Sequence, residues 1–287
     1  MTSRLLLICV AVTAGSCAAR SAGPAATPAA PVRAGAAALP HENLNAVAWM
    51  QTAVEYEATA LQAYRLAHRQ LDDALKDPSW SAAIEQTGDV STLPPAVVLD
   101  IDETVLDNSP FQARGVRDNA AYSEDAWNRW VAESGAPAIP GAKAFTQYAL
   151  DKGVTVFFIT NRMAQVEGAT RANLLAQGFR LPTDLDTVLT RGERPEWQTS
   201  AKGPRRAHVA RSYRILLLVG DDLGDFVVDA TGTPADRQAR TAPNADWWGR
   251  RWIMIPNPTY GSWERALIGA ATDPIDAKRR ALRFGTR

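Results

Sequence analysis

Four short polar strings, three of them following an apolar run, hold residue types suited to nucleophilic, acid–base and cation-binding chemistry. The first is Asp100-Ile101-Asp102-Glu103-Thr104, continued by Val105-Leu106-Asp107-Asn108-Ser109-Pro110. Carboxylates two residues apart lie on one side of an extended strand, close enough to share a cation and to divide nucleophilic and acid–base roles. An isolated Asp-x-Asp pair fits a solvated strand end equally well. The second string is Thr160-Asn161-Arg162, a hydroxyl and then a cation where a phosphate could sit. Thr160 or Asn161 could also cap a helix starting near Met163, and the two roles coexist because helix-start amides bind anions. The third is Lys202-Gly203-Pro204-Arg205-Arg206, a basic run of the kind usually found on a solvated face, as Arg205 and Arg206 are read here. In the fourth, Gly220-Asp221-Asp222-Leu223-Gly224-Asp225-Phe226, crowded carboxylates repel one another unless a cation offsets them, and oxygen ligands suit Mg²⁺.

In this order the strings resemble the four motifs of the haloacid dehalogenase (HAD) superfamily. D-I-D-E-T-V-L-D-N-S after an apolar strand is similar to its nucleophile motif, and D-N-S-P-F resembles the class C acid phosphatase branch. Further on, Pro256-Asn257-Pro258-Thr259-Tyr260-Gly261-Ser262-Trp263-Glu264 has the turn residues of a chain reversal. P-N-x-x-Y-G-x-W-E also resembles the C-terminal signature of the class C outer-membrane lipoprotein acid phosphatases. Class B periplasmic acid phosphatases share D-I-D but neither of the other two strings. The resemblance runs from Leu44 to Trp263.

The resemblance implies a set of roles. Asp100 would be the nucleophile that forms an aspartyl-phosphate, and Asp102 the general acid and then base. Thr160 and Lys202 would hold phosphate oxygens. One Mg²⁺ per site would sit on the Asp100 carboxylate, the Asp102 backbone carbonyl and Asp221, with Asp225 supporting the metal or Lys202. Asp222 stands where the family often has Asn. The implied activity is that of a Mg-dependent phosphomonoesterase of acid phosphatase or 5′-nucleotidase type, acting on a small phosphomonoester. Asp102 opposes dehalogenase chemistry. The alternatives are a HAD phosphotransferase and a surface lipoprotein that binds nucleotides or cofactors without turnover.

These strings need a scaffold that brings strand ends together. Short β-branched runs at 96–100, 154–159, 187–189, 215–219 and 252–255 alternate with helical stretches at 141–151, 163–177 and 204–212. That alternation indicates an α/β domain, a HAD-like Rossmannoid parallel sheet covered by helices on both faces, with ligands bound beyond the carboxyl ends of the strands. Gly153 and Gly178 are helix stop signals. Leu44, Val47, Val54, Leu61, Leu71 and Leu75 recur at multiples of three, four and seven, which predicts one long N-terminal amphipathic helix closed by Pro78. His68 falls on its stripe and is read as a packed residue. Residues 108–140 form an insertion read as a small helical cap. Trp127 from that cap and Tyr260 from the C-terminal loop are candidates to sandwich a base, whereas Trp247, Trp248 and Trp252 are read as packing on the last strand.

Ahead of the domain at 41–287, Arg4 precedes the apolar run Leu5 to Val12 and then Ala14-Gly15-Ser16-Cys17. The run is short for a membrane span and reads as an export signal over 1–16. Small residues before Cys17 resemble a bacterial lipoprotein signal, although Ala14 stands where Leu is usual; an ordinary cleaved signal is the other reading. Residues 17–40 are an Ala/Pro-rich tether. The expected location is the bacterial cell envelope, lipid-anchored through Cys17, in the outer membrane if the cell has one. Cys9 and Cys17 are the only cysteines, so the body has neither a disulfide nor a Cys-based zinc site. The 31 acidic residues meet 28 basic ones beyond residue 40, which argues against a nucleic-acid polymer as partner. The oligomeric state stays open, a dimer included.

Overall fold

The computed structural model describes residues 41–285, so the expected export signal, Cys17 and the expected tether lie outside the described residues. One sheet contains β1 (Pro95–Leu99), β2 (Thr155–Met163), β3 (Val188–Arg191), β4 (Arg214–Gly220) and β5 (Trp252–Met254). All neighbours are parallel, in the order β3-β2-β1-β4-β5. The chain builds outward from β1 on one side and then crosses to build β4 and β5 on the other. This reversal leaves a crevice at the carboxyl ends of β1 and β4, the place where open α/β sheets bind ligands.

Side chains alternate across the sheet, and both faces are dry. Val97, Leu99, Val156 and Phe158 join one core cluster with α2 (Val54–Lys76) and α5 (Ala142–Asp151). Ala96, Val98, Phe157 and Ile159 join the other with Val209, Trp197 and Trp252. Gly153 and Gly178 follow their helices with φ of 74° and 84°, as stop signals require. The last tryptophans pack as expected, Trp247 and Trp248 lying 5.2 and 5.1 Å from the Trp252 ring.

The single long helix does not form. α1 (Leu44–Thr52) ends at Ala53, whose φ of −87° and ψ of 126° are extended, and α2 starts afresh. The reason is a change of face. α1 buries Val47 and Met50, while α2 buries Tyr56, Ala60, Tyr64, Ala67, Leu71 and Ala74. In one continuous helix Tyr56 would lie about 240° around the axis from Met50, so a break is needed for both to face the core. The apolar residues Leu44 and Val54, counted into the stripe, are 45% and 70% exposed. His68 is packed as read, its ring 4.5 Å from Tyr148.

Residues 108–140 hold two cap helices, α3 (Ser109–Asp118) and α4 (Glu124–Ala132). Ser123 caps α4 by accepting from the Ala126 N–H. α6 (Glu167–Ala176) follows β2 after a short 3-10 turn, and α7 (Gly203–Ala210) precedes β4. α8 (Pro234–Thr241), α9 (Ser262–Ile268) and α10 (Pro274–Ala281) complete the described chain.

Candidate active site

Asp100 is the first residue beyond β1, and its N–H still donates to Val219 O at 2.9 Å, so β4 holds it in place. Asp221 follows β4 directly, and Asp225 ends the 3-10 turn after it. Carboxylate oxygens of Asp100, Asp221 and Asp225 all lie within 4.8 Å of one another. Gly220 makes room for this: a Cβ there would stand 2.4 Å from the Asp225 Cβ. Lys202, at the start of α7, donates from Nζ to Asp100 Oδ1 and, at 2.6 Å, to Asp225 Oδ1.

One ammonium faces three crowded carboxylates. Burial, aided by Asp225 and Asp102, pushes Asp100 up to about 7 against the pull of Lys202. Burial and the Asp100 and Asp225 charges likewise raise Asp221 well above the carboxylate range, with Asn257 opposing. Burial works against the charge on Lys202, but Asp100 and Asp225 outweigh it and hold the ammonium above the ordinary lysine value. An all-oxygen donor set with excess negative charge fits a hard divalent cation. The chain's own residues therefore suit the metal its resemblance implies, on Asp100, Asp221 and Asp225. Asp225 lies in this cluster and pairs with Lys202 as well. The site is steadied from outside: Thr104 Oγ1 donates to Asp221 Oδ1 at 3.2 Å and Asn257 Nδ2 to Oδ2 at 2.8 Å.

The Asp102 side chain faces away from this cluster. Its Oδ1 accepts from Arg162 Nε at 2.9 Å and Asn108 Nδ2 at 3.0 Å, and its Oδ2 from Thr160 Oγ1 at 3.3 Å. The two carboxylates of the Asp-x-Asp pair are thus split between two environments, one with a lysine and metal-suited neighbours, the other with an arginine. A turn over 101–106 makes the split, with Glu103 in the left-handed region at φ 59°. Glu103 is wholly buried, and burial together with Asp102 raises its carboxyl well above the usual range. The hydroxyl of Tyr260 donates to Glu103 Oε2, and the Asn108 N–H donates to its Oε1 at 3.1 Å. The C-terminal loop is thereby tied to the first motif. Asp222 adds a second tie, accepting from the Ser262 N–H at 2.6 Å.

Several expectations change. Thr160 caps no helix: its Oγ1 accepts from the Arg162 N–H at 3.0 Å, but β2 runs on to Met163. Arg205 and Arg206 are not on a solvated face; both are buried. Arg205 donates to Thr160 O and Asn161 Oδ1, while Arg206 pairs with Glu85 at 2.7 Å and donates to Gly224 O and Asp225 O. Helical periodicity hides this, because α7 packs its basic side against the strand ends, where carbonyls need donors. Trp127 packs edge-on to Phe111 at 5.2 Å with the Arg162 guanidinium 5.8 Å over its ring. Trp127 and Tyr260 are both half-buried. Sequence reasoning assigned no role to Asn108, Thr104 or Asn257, although each lies within a quoted string, and it read Arg162 as a cation for phosphate, whereas the guanidinium is engaged by Asp102.

Comparison with known proteins agrees with this geometry. The family model described as HAD superfamily, subfamily IIIB (Acid phosphatase), matches residues 11–263. A structure of the class C acid phosphatase from Bacillus anthracis superposes with a TM-score of 0.73 at 32% identity, covering 86% of this chain and 99% of that one. A tungstate-bound structure of the class C acid phosphatase from B. anthracis gives 0.72 at 31% identity. Curated relatives are more distant. Acid phosphatase 1 of Solanum lycopersicum is 29% identical over 45% of this chain and 51% of its own length, and a 31 kDa stem glycoprotein of Glycine max is 25% identical over 57% and 58%. The chain thus spans little more than half the length of the curated relatives it matches. With more than four-fifths of its length matched to the family and the four strings converging on one crevice, the chain belongs to the HAD superfamily, subfamily IIIB, the acid phosphatases.

Proposed function

We propose that the chain hydrolyses phosphomonoesters at the crevice between β1 and β4. The observation that carries this is the split of Asp100 and Asp102, which supplies a nucleophile beside Lys202 and a separate acid–base group beside Thr160. Asp100 would attack phosphorus in line to form an aspartyl-phosphate, dividing a hard displacement into two steps. Asp102 would give a proton to the leaving oxygen and later take one from water. Lys202 and Thr160 would hold phosphate oxygens, positive charge and hydroxyl being placed where charge develops. Mg²⁺ held by the Asp100 carboxylate, the Asp102 backbone carbonyl and Asp221, with Asp225 in support, would neutralise charge on the transferring group. The tungstate bound by the B. anthracis relative is a tetrahedral oxyanion, which supports a phosphate-sized site here.

The substrates would be nucleoside 5′-monophosphates. Trp130 of the cap donates to Asn108 and Tyr260 to Glu103, which are themselves hydrogen-bonded, and the half-buried rings of Trp127 and Tyr260 on either side would stack on a base. Stacking contributes roughly 1–3 kcal/mol in nucleic-acid sites, an about ten- to hundredfold preference if expressed in the transition state. The test compares adenosine 5′-monophosphate with glycerol phosphate on the wild type, Trp127→Ala and Tyr260→Ala, with and without Mg²⁺. The expected result is a strong wild-type preference for the nucleotide that narrows in both variants. Equal hydrolysis of the two esters by the wild type would reject the nucleotide assignment, and hydrolysis of neither would reject the phosphatase.

The domain would be exported and held at the envelope by lipid on Cys17. Support comes from the short apolar run with small residues before that cysteine, and from a body without cysteine. Cys17→Ala is expected to release the protein from membranes into the soluble envelope fraction. An unmodified mature N-terminus in intact-mass analysis would reject lipidation.

A further inference from the structure

We infer that Arg162 is the positioning residue that decides which oxygen of Asp102 carries the proton, and that it does so together with the cap. The inference rests on the phosphatase reading of the site. Arg162 is the penultimate residue of β2 and its side chain is fully buried. Two of its nitrogens, Nε at 2.9 Å and NH2 at 2.8 Å, converge on the same oxygen, Asp102 Oδ1. Asn108 Nδ2 reaches that oxygen too, at 3.0 Å. Two N–H donors and a second guanidinium nitrogen in ion-pair contact crowd this one carboxylate oxygen and leave it no room to bear a proton. Oδ2 has a single contact, the Thr160 hydroxyl at 3.3 Å. A hydroxyl can accept as well as donate, so it tolerates a proton on Oδ2.

The step then follows atom by atom. The P–O ester bond breaks as Asp100 attacks, its electron pair stays on the ester oxygen, and the Oδ2 proton moves there to release the alcohol. Water next attacks phosphorus of the aspartyl-phosphate, gives its proton to Oδ2 and regenerates the Asp100 carboxylate as phosphate leaves. Oδ1 stays on Arg162 throughout, so the carboxyl cannot rotate between the steps.

The guanidinium is itself held by the cap. Its NH2 donates to Asn108 Oδ1 at 3.3 Å, the oxygen that also accepts from Trp130 Nε1 on α4 at 2.8 Å. Its NH1 reaches Thr170 Oγ1 on α6 at 3.4 Å. Trp127 of α4 lies against its face. The cap thus orients the proton donor as well as covering the crevice.

The test separates this role from general stability by the leaving group. Glycerol phosphate expels an alkoxide that needs the proton, whereas p-nitrophenyl phosphate expels a stable phenolate that does not. kcat/KM covers only the steps up to that departure when it is irreversible, so later hydrolysis of the aspartyl-phosphate does not enter. Arg162→Lys keeps the charge but loses the fork that fills Oδ1. The ratio of kcat/KM for glycerol phosphate to that for p-nitrophenyl phosphate is expected to fall about thirtyfold in this variant, a fraction of what a general acid supplies. Trp130→Phe removes the indole N–H on Asn108 together with part of a buried ring and should lower the ratio about fivefold; it decides the matter if Arg162→Lys fails to fold. An unchanged ratio in a folded variant, with both esters slowed alike, overturns the inference while leaving the phosphatase reading intact. A wild type inactive on both esters overturns the phosphatase reading, and this inference with it.

Discussion

Asp100→Asn is expected to lose phosphomonoester hydrolysis by at least about 10⁴-fold, yet to melt no earlier than the wild type in metal-free buffer at pH 8. The loss follows from the place of Asp100 at the end of β1, with Lys202 donating to its Oδ1. An amide there is a poor nucleophile and forms no aspartyl-phosphate. The unchanged stability follows from a sign. Burial pushes Asp100 up to about 7 in the folded chain, above the ordinary carboxylate value of the unfolded one. A raised carboxyl contributes stability that is fully present below about pH 4 and lost as the pH rises through about 7. At pH 8 the ionised group therefore costs the metal-free fold stability, and the neutral amide removes that cost. Lys202 keeps Asp225 as its partner in the variant. Steady-state rates, intact mass to exclude deamidation and melting curves check both halves. Residual activity above a few percent would refute the covalent step, and a large drop in melting temperature would show that Asp100 holds the fold together.

Removal of divalent metal is expected to abolish activity, with Mg²⁺ restoring it. The same metal at 100 times its Kd should raise the melting temperature by about 5–10 °C, since such saturation is worth about 2.7 kcal/mol. The shift should be larger at pH 8 than at pH 5. Asp100 and Asp221 both have raised pKa values in the folded chain, chiefly through burial, so protons compete with the metal below about pH 7. As the pH rises Asp100 and Asp221 ionise, the metal-free fold weakens, and a cation has more charge to offset. Asp221→Asn should flatten this pH dependence along with the activity. Full activity after exhaustive chelation, or a thermal shift independent of pH, would show that the Asp100–Asp221–Asp225 cluster holds no functional metal.

Much of the domain is legible in the chain itself, because the relevant signals are local. The five strands appear as short apolar runs, each within a few residues of its final bounds, since a strand covered on both faces must be apolar throughout. Asp100, Asp102, Thr160, Lys202, Asp221 and Asp225 were all picked out by motif spacing and family resemblance; Asp100 and Asp221 follow strands and Lys202 starts α7, while Thr160 lies within β2, Asp102 in the turn after β1 and Asp225 at the end of a 3-10 turn. The structure brings all six to one crevice, because the sheet order reverses at β1.

What the chain could not disclose depends on neighbours far away in sequence. The break at Ala53 comes from the different faces that α1 and α2 turn to the core, which a count of apolar intervals cannot separate. Arg205 and Arg206 look like a solvated basic run, and only the fold shows that carbonyls within β2 and in the 3-10 turn after β4 need their donors. Arg162 and Asn108 lie 54 residues apart, and nothing local marks them as partners of one carboxylate oxygen. Local sequence thus determined which residues stand at the strand ends. The tertiary structure decided which way each side chain faces, because hydrogen-bond partners for buried charges come from whichever elements the sheet order and the cap bring alongside.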